Sequence, residues 1–248
     1  INNKRAVALK VMHDHLSTNQ QFRDRFLQEA RAVAGLDHPN IVRVIEFSPS
    51  SKFLYIVMEL VTGGSLREYL AQLQRESKPL EFDLALTIVR QIADALHYAH
   101  EHNMIHRDVK PENILLKPVG STYQGMLTDF GLAKLTEGIG FTVTGKPLGT
   151  FTYMSPEQCR AEKGIDRRTD IYALGIVLYE LTTGHLPFKP KNIMEALRMH
   201  TQTPVTPPRT YVSEYPAELE EIVLKCLAKD REQRYASAKE LSNALWDY

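Results

Sequence analysis

Residues 170–183 read as a helix that is apolar on nearly every side. A surface helix carries an apolar stripe and a polar face. A helix without a polar face must be surrounded, so this one is expected to be a buried core helix. Its greasiest run, 171–181, is interrupted by Glu180 and is far shorter than the ~20 apolar residues that a membrane span requires. The chain has 248 residues, 43% of them apolar. That is enough for one large domain or two small lobes.

The rest of the chain divides by its periodicity. Residues 5–11, Arg-Ala-Val-Ala-Leu-Lys-Val, read as a short buried strand that carries one lysine. Ser17-Thr18-Asn19 look like a helix start, and Phe22, Phe26, Leu27, Ala30 and Val33 repeat at helical spacing as far as Gly35. Two strands follow at 41–47 and 53–60, joined by a Ser-Pro-Ser-Ser-Lys turn. Thr62-Gly63-Gly64 reads as a flexible connector, and the pattern then turns helical: 65–75, 82–102, 170–183, 190–201, 216–229 and 237–247. Short strands flank two loops, 105–116 and 125–133. The expected class is α+β, with a small strand-rich lobe over 1–61 and a large helical lobe over 62–248. Internal repeats and low-complexity tracts are absent.

Lysine and arginine number 30, as do aspartate and glutamate. No global field therefore draws the chain to nucleic acid or to an anionic membrane. Cys159 and Cys226 stand alone, outside any C-x-x-C pair. They read as reduced packing thiols in a cytoplasmic protein. Residues 1–15 lack the apolar core of a signal peptide.

The strongest signal is His106-Arg107-Asp108-Val109-Lys110-Pro111-Glu112-Asn113. Asp129-Phe130-Gly131 follows sixteen residues after Asn113, Val7-Ala8-Leu9-Lys10 stands upstream, and Ser155-Pro156-Glu157 stands downstream. In this order and spacing the sequence resembles the protein kinase superfamily: the catalytic loop H-R-D-x-x-x-x-N, then D-F-G, with V-A-I-K before and A-P-E after. The resemblance covers almost the whole chain. It is nearest to the eukaryotic-like Ser/Thr kinases of bacteria, judged on 106–116, 149–158 and 227–235.

That resemblance implies a two-lobed kinase fold and ATP-dependent phosphoryl transfer to protein hydroxyls. The chemistry asks for positioning and charge neutralisation. Asp108 would accept the proton of the substrate hydroxyl, and Lys110 would place a point charge on the transferred group. Asn113 and Asp129 would hold Mg²⁺, a hard cation that favours oxygen ligands. Lys10 would hold the ATP phosphates. A lysine in a buried strand needs a partner, and Glu29 on the helix that follows, at 20–34, is the expected one. By resemblance, Ala8 and Leu115 sandwich the adenine, Met58 is the gatekeeper, and the backbone of Glu59 to Val61 faces the adenine edge. His106 is expected to pack beneath the loop without acid–base work, and to stack with Phe130, Val33 and Val44 as the internal spine.

Regulation is implied too. Arg107 is a cation that a phosphate on the 134–149 segment would satisfy, with Thr142 and Thr144 as the acceptors, so autophosphorylation is expected. Thr150 resembles the threonine that bonds near Asp108 and Lys110. Glu157 is expected to pair with Arg234, and Asp170 to brace the catalytic loop. Partners would be Ser/Thr-bearing proteins. Bacterial kinases of this kind dimerise through the small lobe and are tethered by a C-terminal span, so the resemblance raises a homodimer through the N-lobe and a membrane-tethered parent protein. No membrane or nucleic-acid contact is expected of these residues themselves.

One departure stands out. No G-x-G-x-x-G precedes Lys10, although the family has two strands and a phosphate-covering loop there. The expected explanation is that the protein continues upstream; residues 1–248 in isolation should bind ATP poorly. Two other readings stay open. A pseudokinase would keep the fold as a binding module; the set Lys10, Glu29, Asp108, Asn113 and Asp129 speaks against it. A small-molecule kinase of the aminoglycoside type lacks a full activation segment ending in Ser-Pro-Glu.

Overall fold

The computed structural model describes residues 6–11, 20–48, 54–130 and 151–248, except the side chains of Gln21, Phe22, Arg25 and Glu29. A small sheet with one helix comes first, and a helical body follows. The sheet holds β1 (Val7–Val11), β2 (Val44–Ser48) and β3 (Tyr55–Glu59), all antiparallel, in the order β1-β3-β2. The helix α1 (Gln20–Ala34) packs on it.

Ala8 pairs with Met58 and Lys10 with Ile56 across β1 and β3, and Val44 pairs with Met58 from the other side. Directly opposed residues share a face, so Ala8, Lys10, Val44, Ile56 and Met58 point the same way. That face meets Phe26 and Ala30 of α1 in a core of five buried residues, with Leu54 the fifth. The other face of β1 is open: Val7, Leu9 and Val11 are 44%, 61% and 52% exposed. The expectation of a buried strand is thus corrected. β1 lies at the sheet edge among the described residues, and only one of its faces is covered.

The strand expected from residue 41 begins at Val44 instead. Residues 40–42 leave the sheet and join the end of β5 (Thr122–Leu127): Val42 N donates to Leu127 O at 2.9 Å, and Leu127 N donates to Asn40 O at 2.8 Å. β5 forms a hairpin with β4 (Ile114–Val119), pairing Ile114 with Leu127.

The helical body contains α2 (Leu66–Arg75), α3 (Phe82–Glu101), α4 (Pro156–Cys159), α5 (Arg168–Thr183), α6 (Ile193–Gln202), α7 (Ala217–Cys226) and α8 (Ala238–Asp247). Expected and observed helix ends differ by at most three residues, and several coincide. Polar side chains set several starts. Ser65 and Glu68 form a reciprocal capping box on α2, and Asn192 and Ser237 cap α6 and α8. Thirteen of the 16 residues of α5 are buried, with α3 and α7 packed on it. Gly175 permits that packing, because a Cβ there would lie 2.5 Å from the Cβ of Cys226.

The connector is not a loose tether. A Cβ on Gly63 would sit 2.1 Å from the Leu116 carbonyl oxygen, and Leu116 N donates to Gly64 O at 2.9 Å. Glycine is required there for close approach of two backbones. Among the described residues no helix is long and apolar enough to cross a membrane.

Candidate active site

The loop between α3 and β4 is pinned from below. Asp170, fully buried in the first turn of α5, accepts from His106 N at 2.8 Å and Arg107 N at 2.7 Å, and it pairs with His100 Nε2 at 2.8 Å. Burial would raise the Asp170 carboxyl. The hydrogen bond and charge of His100, with the His106 charge and the Arg107 amide, outweigh it and hold the group below the usual carboxylate range. This matches the expected brace. His106 is buried, lies 2.8 Å from Thr128 O through Nε2, and packs edge-on against Phe130 at 4.7 Å. Half-buried Val33 packs against both the small-lobe core, which contains Val44, and the large core, which contains Phe130.

Above that brace the loop gathers three expected residues. Lys110 Nζ donates to both carboxylate oxygens of Asp108, at 2.9 and 2.7 Å. Asn113 Nδ2 donates to Asp108 O at 2.7 Å and to Oδ2 at 3.0 Å. Arg107 and Asp129 adopt left-handed backbone, φ 66° and 65°, a conformation that non-glycine residues keep only when their surroundings impose it. Gln158 Nε2 holds the Arg107 carbonyl at 2.8 Å.

From the sheet, Lys10 Nζ reaches Asp129 Oδ1 at 2.7 Å, 119 residues along the chain. The partner expected from sequence was Glu29, whose side chain lies outside the described residues. The described partner is the D-F-G aspartate. Both side chains are about one-third exposed. Ala8 and Met58 are cross-strand neighbours on the same face as Lys10, while Glu59 and Val61 are half-buried at the connector. Glu59 holds the neighbouring strand, with Arg43 N donating to its Oε1 at 2.8 Å. Leu115 pairs with Ser65, beside the connector. Thr142, Thr144 and Thr150 lie outside the described residues.

Glu157 and Arg234 form a buried two-point pair at 2.8 and 2.9 Å, as the sequence led one to expect. A second network was missed. Arg67 on α2 donates to Glu180 Oε1 at 2.7 Å and Glu112 Oε1 at 3.0 Å, and also to the Tyr153 hydroxyl, which donates to Glu180 Oε2 at 2.5 Å. Burial opposes the charge on Arg67, yet the Glu180 bond and the surrounding anions raise its pKa. The available signal was Glu180 itself: a carboxylate inside an otherwise apolar buried helix requires a cation.

The chain matches the protein kinase domain family over residues 1–246. It is 37% identical over 237 residues to Serine/threonine-protein kinase PrkC of Bacillus subtilis, covering 96% of this chain and 35% of that protein. It is 38% identical over 252 residues to Tyrosine-protein kinase MasK of Myxococcus xanthus, covering 98% and 38%. The crystal structure of the Mycobacterium tuberculosis PknI kinase domain matches it with a TM-score of 0.73 at 28% identity, over 97% of this chain and 85% of that one. The chain thus spans about a third of the length of the curated relatives it matches. The pinned H-R-D loop, the lysine that crosses to the D-F-G aspartate and the full-length family match agree: the chain belongs to the protein kinase domain family, on its bacterial, eukaryotic-like Ser/Thr branch.

Proposed function

We propose that this domain transfers the γ-phosphoryl group of ATP to Ser and Thr hydroxyls of proteins, with Asp108 as the residue that receives the substrate proton. The observation that carries the reading is the setting of Asp108. Its carboxylate is held at both oxygens by Lys110 and at one by Asn113, on a loop whose backbone is fixed by Asp170. A carboxylate on a backbone so fixed is positioned to orient a hydroxyl.

The donor set fits Mg²⁺. Among the described residues no group of three or more His, Cys, Asp or Glu could hold a metal by itself. Asp129 offers a carboxylate, and Asn113, with its Nδ2 committed to Asp108, keeps Oδ1 for a cation. Mg²⁺ takes few protein oxygens and completes its shell with water and phosphate. Bound Mg²⁺ would neutralise phosphate charge. Asn113 and Asp129 would then ligate it, Asp129 would release Lys10, and the Lys10 ammonium would turn to the phosphates. Ala8, Met58, Leu115 and the backbone at Glu59 and Val61 would hold the adenine. Lys110 would shift from Asp108 to the incoming phosphoryl group. Glu29 would take Lys10 as its partner.

Regulation follows the same charge logic. Phosphate on Thr142 or Thr144 would dock near Arg107, and Thr150 would steady Asp108 and Lys110. Autophosphorylation, a homodimer through the strand lobe and a cytoplasmic domain with a membrane-tethered parent are parts of the same proposal. Label from γ-³²P-ATP with Mg²⁺, followed by phosphoamino-acid analysis, tests it. In the longest native form, wild type should label Ser and Thr, and Asp108→Asn should lose at least ~10²-fold in rate. Label confined to tyrosine, as the likeness to MasK would allow, overturns the Ser/Thr assignment. Equal labelling by Asp108→Asn removes the role given to Asp108.

A further inference from the structure

A cavity of about 500 Å³ lies behind the catalytic loop, where the end of α3 meets the start of α5. His100, Asn103, Asp166, Arg167 and Arg168 line it. Of these only His100 entered the site described above, as the partner of its brace. His100 is almost wholly buried, and its Nε2 is held by Asp170 at 2.8 Å. Its Nδ1 is buried too, and has no hydrogen-bond partner among the described residues. Buried side-chain nitrogens without a partner are rare in folded proteins.

The two arginines on the wall differ. Arg168 is committed, to Asp166 at 2.9 Å and to Glu232 at 2.6 and 2.8 Å. The same bonds occupy the Asp166 carboxylate. Arg167 is exposed, and its Nε donates to Ala236 O at 2.9 Å. It forms no carboxylate pair among the described residues, so its terminal nitrogens remain as donors. The cavity is therefore lined by one guanidinium with no carboxylate partner among the described residues and by His100, whose buried Nδ1 lacks a partner, with the nearby carboxylate already neutralised.

We infer that this cavity binds a phosphate-type oxyanion between Arg167 and His100. The guanidinium fork suits two phosphate oxygens. A phosphate monoester also carries both P–O⁻ and, when singly protonated, P–OH, so it can give to Nδ1 or accept from it, as the ring requires. A carboxylate offers only acceptors. The cavity exceeds a bare phosphate, leaving room for the group esterified to it. That group is either a small alcohol or a phosphorylated side chain of another protein. Occupancy is linked to the active site by one side chain, because Asp170, which holds His100, also holds His106 N and Arg107 N.

NMR titration of the 248-residue chain tests this, with inorganic phosphate, glycerol phosphate and a phosphoserine peptide as separate probes. The expected result is a saturable shift of the His100 ring and of the Asn103 and Arg168 amides, with smaller shifts at His106 and Arg107. Arg167→Ala, a surface change whose folding is checked by an unchanged Tm, should weaken binding about tenfold. Tighter binding of the peptide assigns the source to a protein, and tighter binding of glycerol phosphate to a small metabolite. A shift that survives unchanged in Arg167→Ala overturns the inference. So does a response confined to Lys10 and Asp129, or none at millimolar probe. The readout needs no catalytic turnover, so its failure leaves the proposed kinase activity untouched.

Discussion

Glu157 and Arg234 meet inside the helical body with almost no solvent around them, whereas Lys10 reaches Asp129 from the sheet with about a third of its side chain exposed. The distances are nearly equal, 2.8 and 2.7 Å. Their surroundings are not. Among the described residues the helical body carries one continuous core around α5, and the strand lobe has its own core cluster of only five buried residues, beside a sheet with an open face. Charge in the first region is structural, since an ion stranded there has no water to turn to. Charge in the second can change partners at little cost, which suits a lysine that must meet a ligand.

Three measurements press on that contrast. Glu157→Ala leaves Arg234 buried and unpaired, and should cost about 3–5 kcal/mol of unfolding free energy in a denaturant titration. A loss below about 1 kcal/mol would show that the helical body tolerates a lone cation. The next effect is set by pH. Burial, followed by the charge of Lys229, lowers the pKa of His200 from 6.5 to about 4 against a weaker opposing bond to the Phe151 backbone. As pH falls from 6.5 towards 4, the unfolded chain takes up a proton that the folded chain refuses. Stability should therefore decline across that window, by at most about 3 kcal/mol. Urea midpoints between pH 7 and pH 5 would show the decline, before most carboxylates titrate, and His200→Asn should flatten it. An identical slope in the variant would refute the assignment. The smallest effect belongs to the strand lobe. Lys10→Met should change stability by less than about 1 kcal/mol, because its ion pair is substantially exposed, while phosphoryl transfer falls by ~10² or more. A large loss of stability would erase the distinction between the regions.

The features legible in sequence were those that depend on local periodicity or on a motif. The core helix announced itself by having no polar face, and the order of Lys10, Asp108, Asn113, Asp129 and Glu157 carried the family. Partners distant in sequence were harder to read. The Lys10–Asp129 contact spans 119 residues, and nothing near either residue names the other. The apolar run from residue 41 indicated extended backbone but not that 40–42 would pair with Leu127 rather than continue β2. Gly63-Gly64 read as looseness because glycine permits both freedom and contact, and only the Leu116 carbonyl beside it decides between them. Arg67 carries no mark in its own neighbourhood of the sequence, because its partners Glu112 and Glu180 lie 45 and 113 residues away.

The return of residues 40–42 to Leu127 bears on how the two lobes can move. Among the described residues two backbone attachments fasten the sheet to the helical body, the hydrogen bonds at 40–42 and the packed connector at 63–65. A panel hung on two pins swings about the axis through both and resists sliding or twisting. Opening of the cleft between Lys10 and Asp108 should accordingly be a rotation with one soft direction, which would carry Lys10, away from both pins, along an arc from its contact with Asp129.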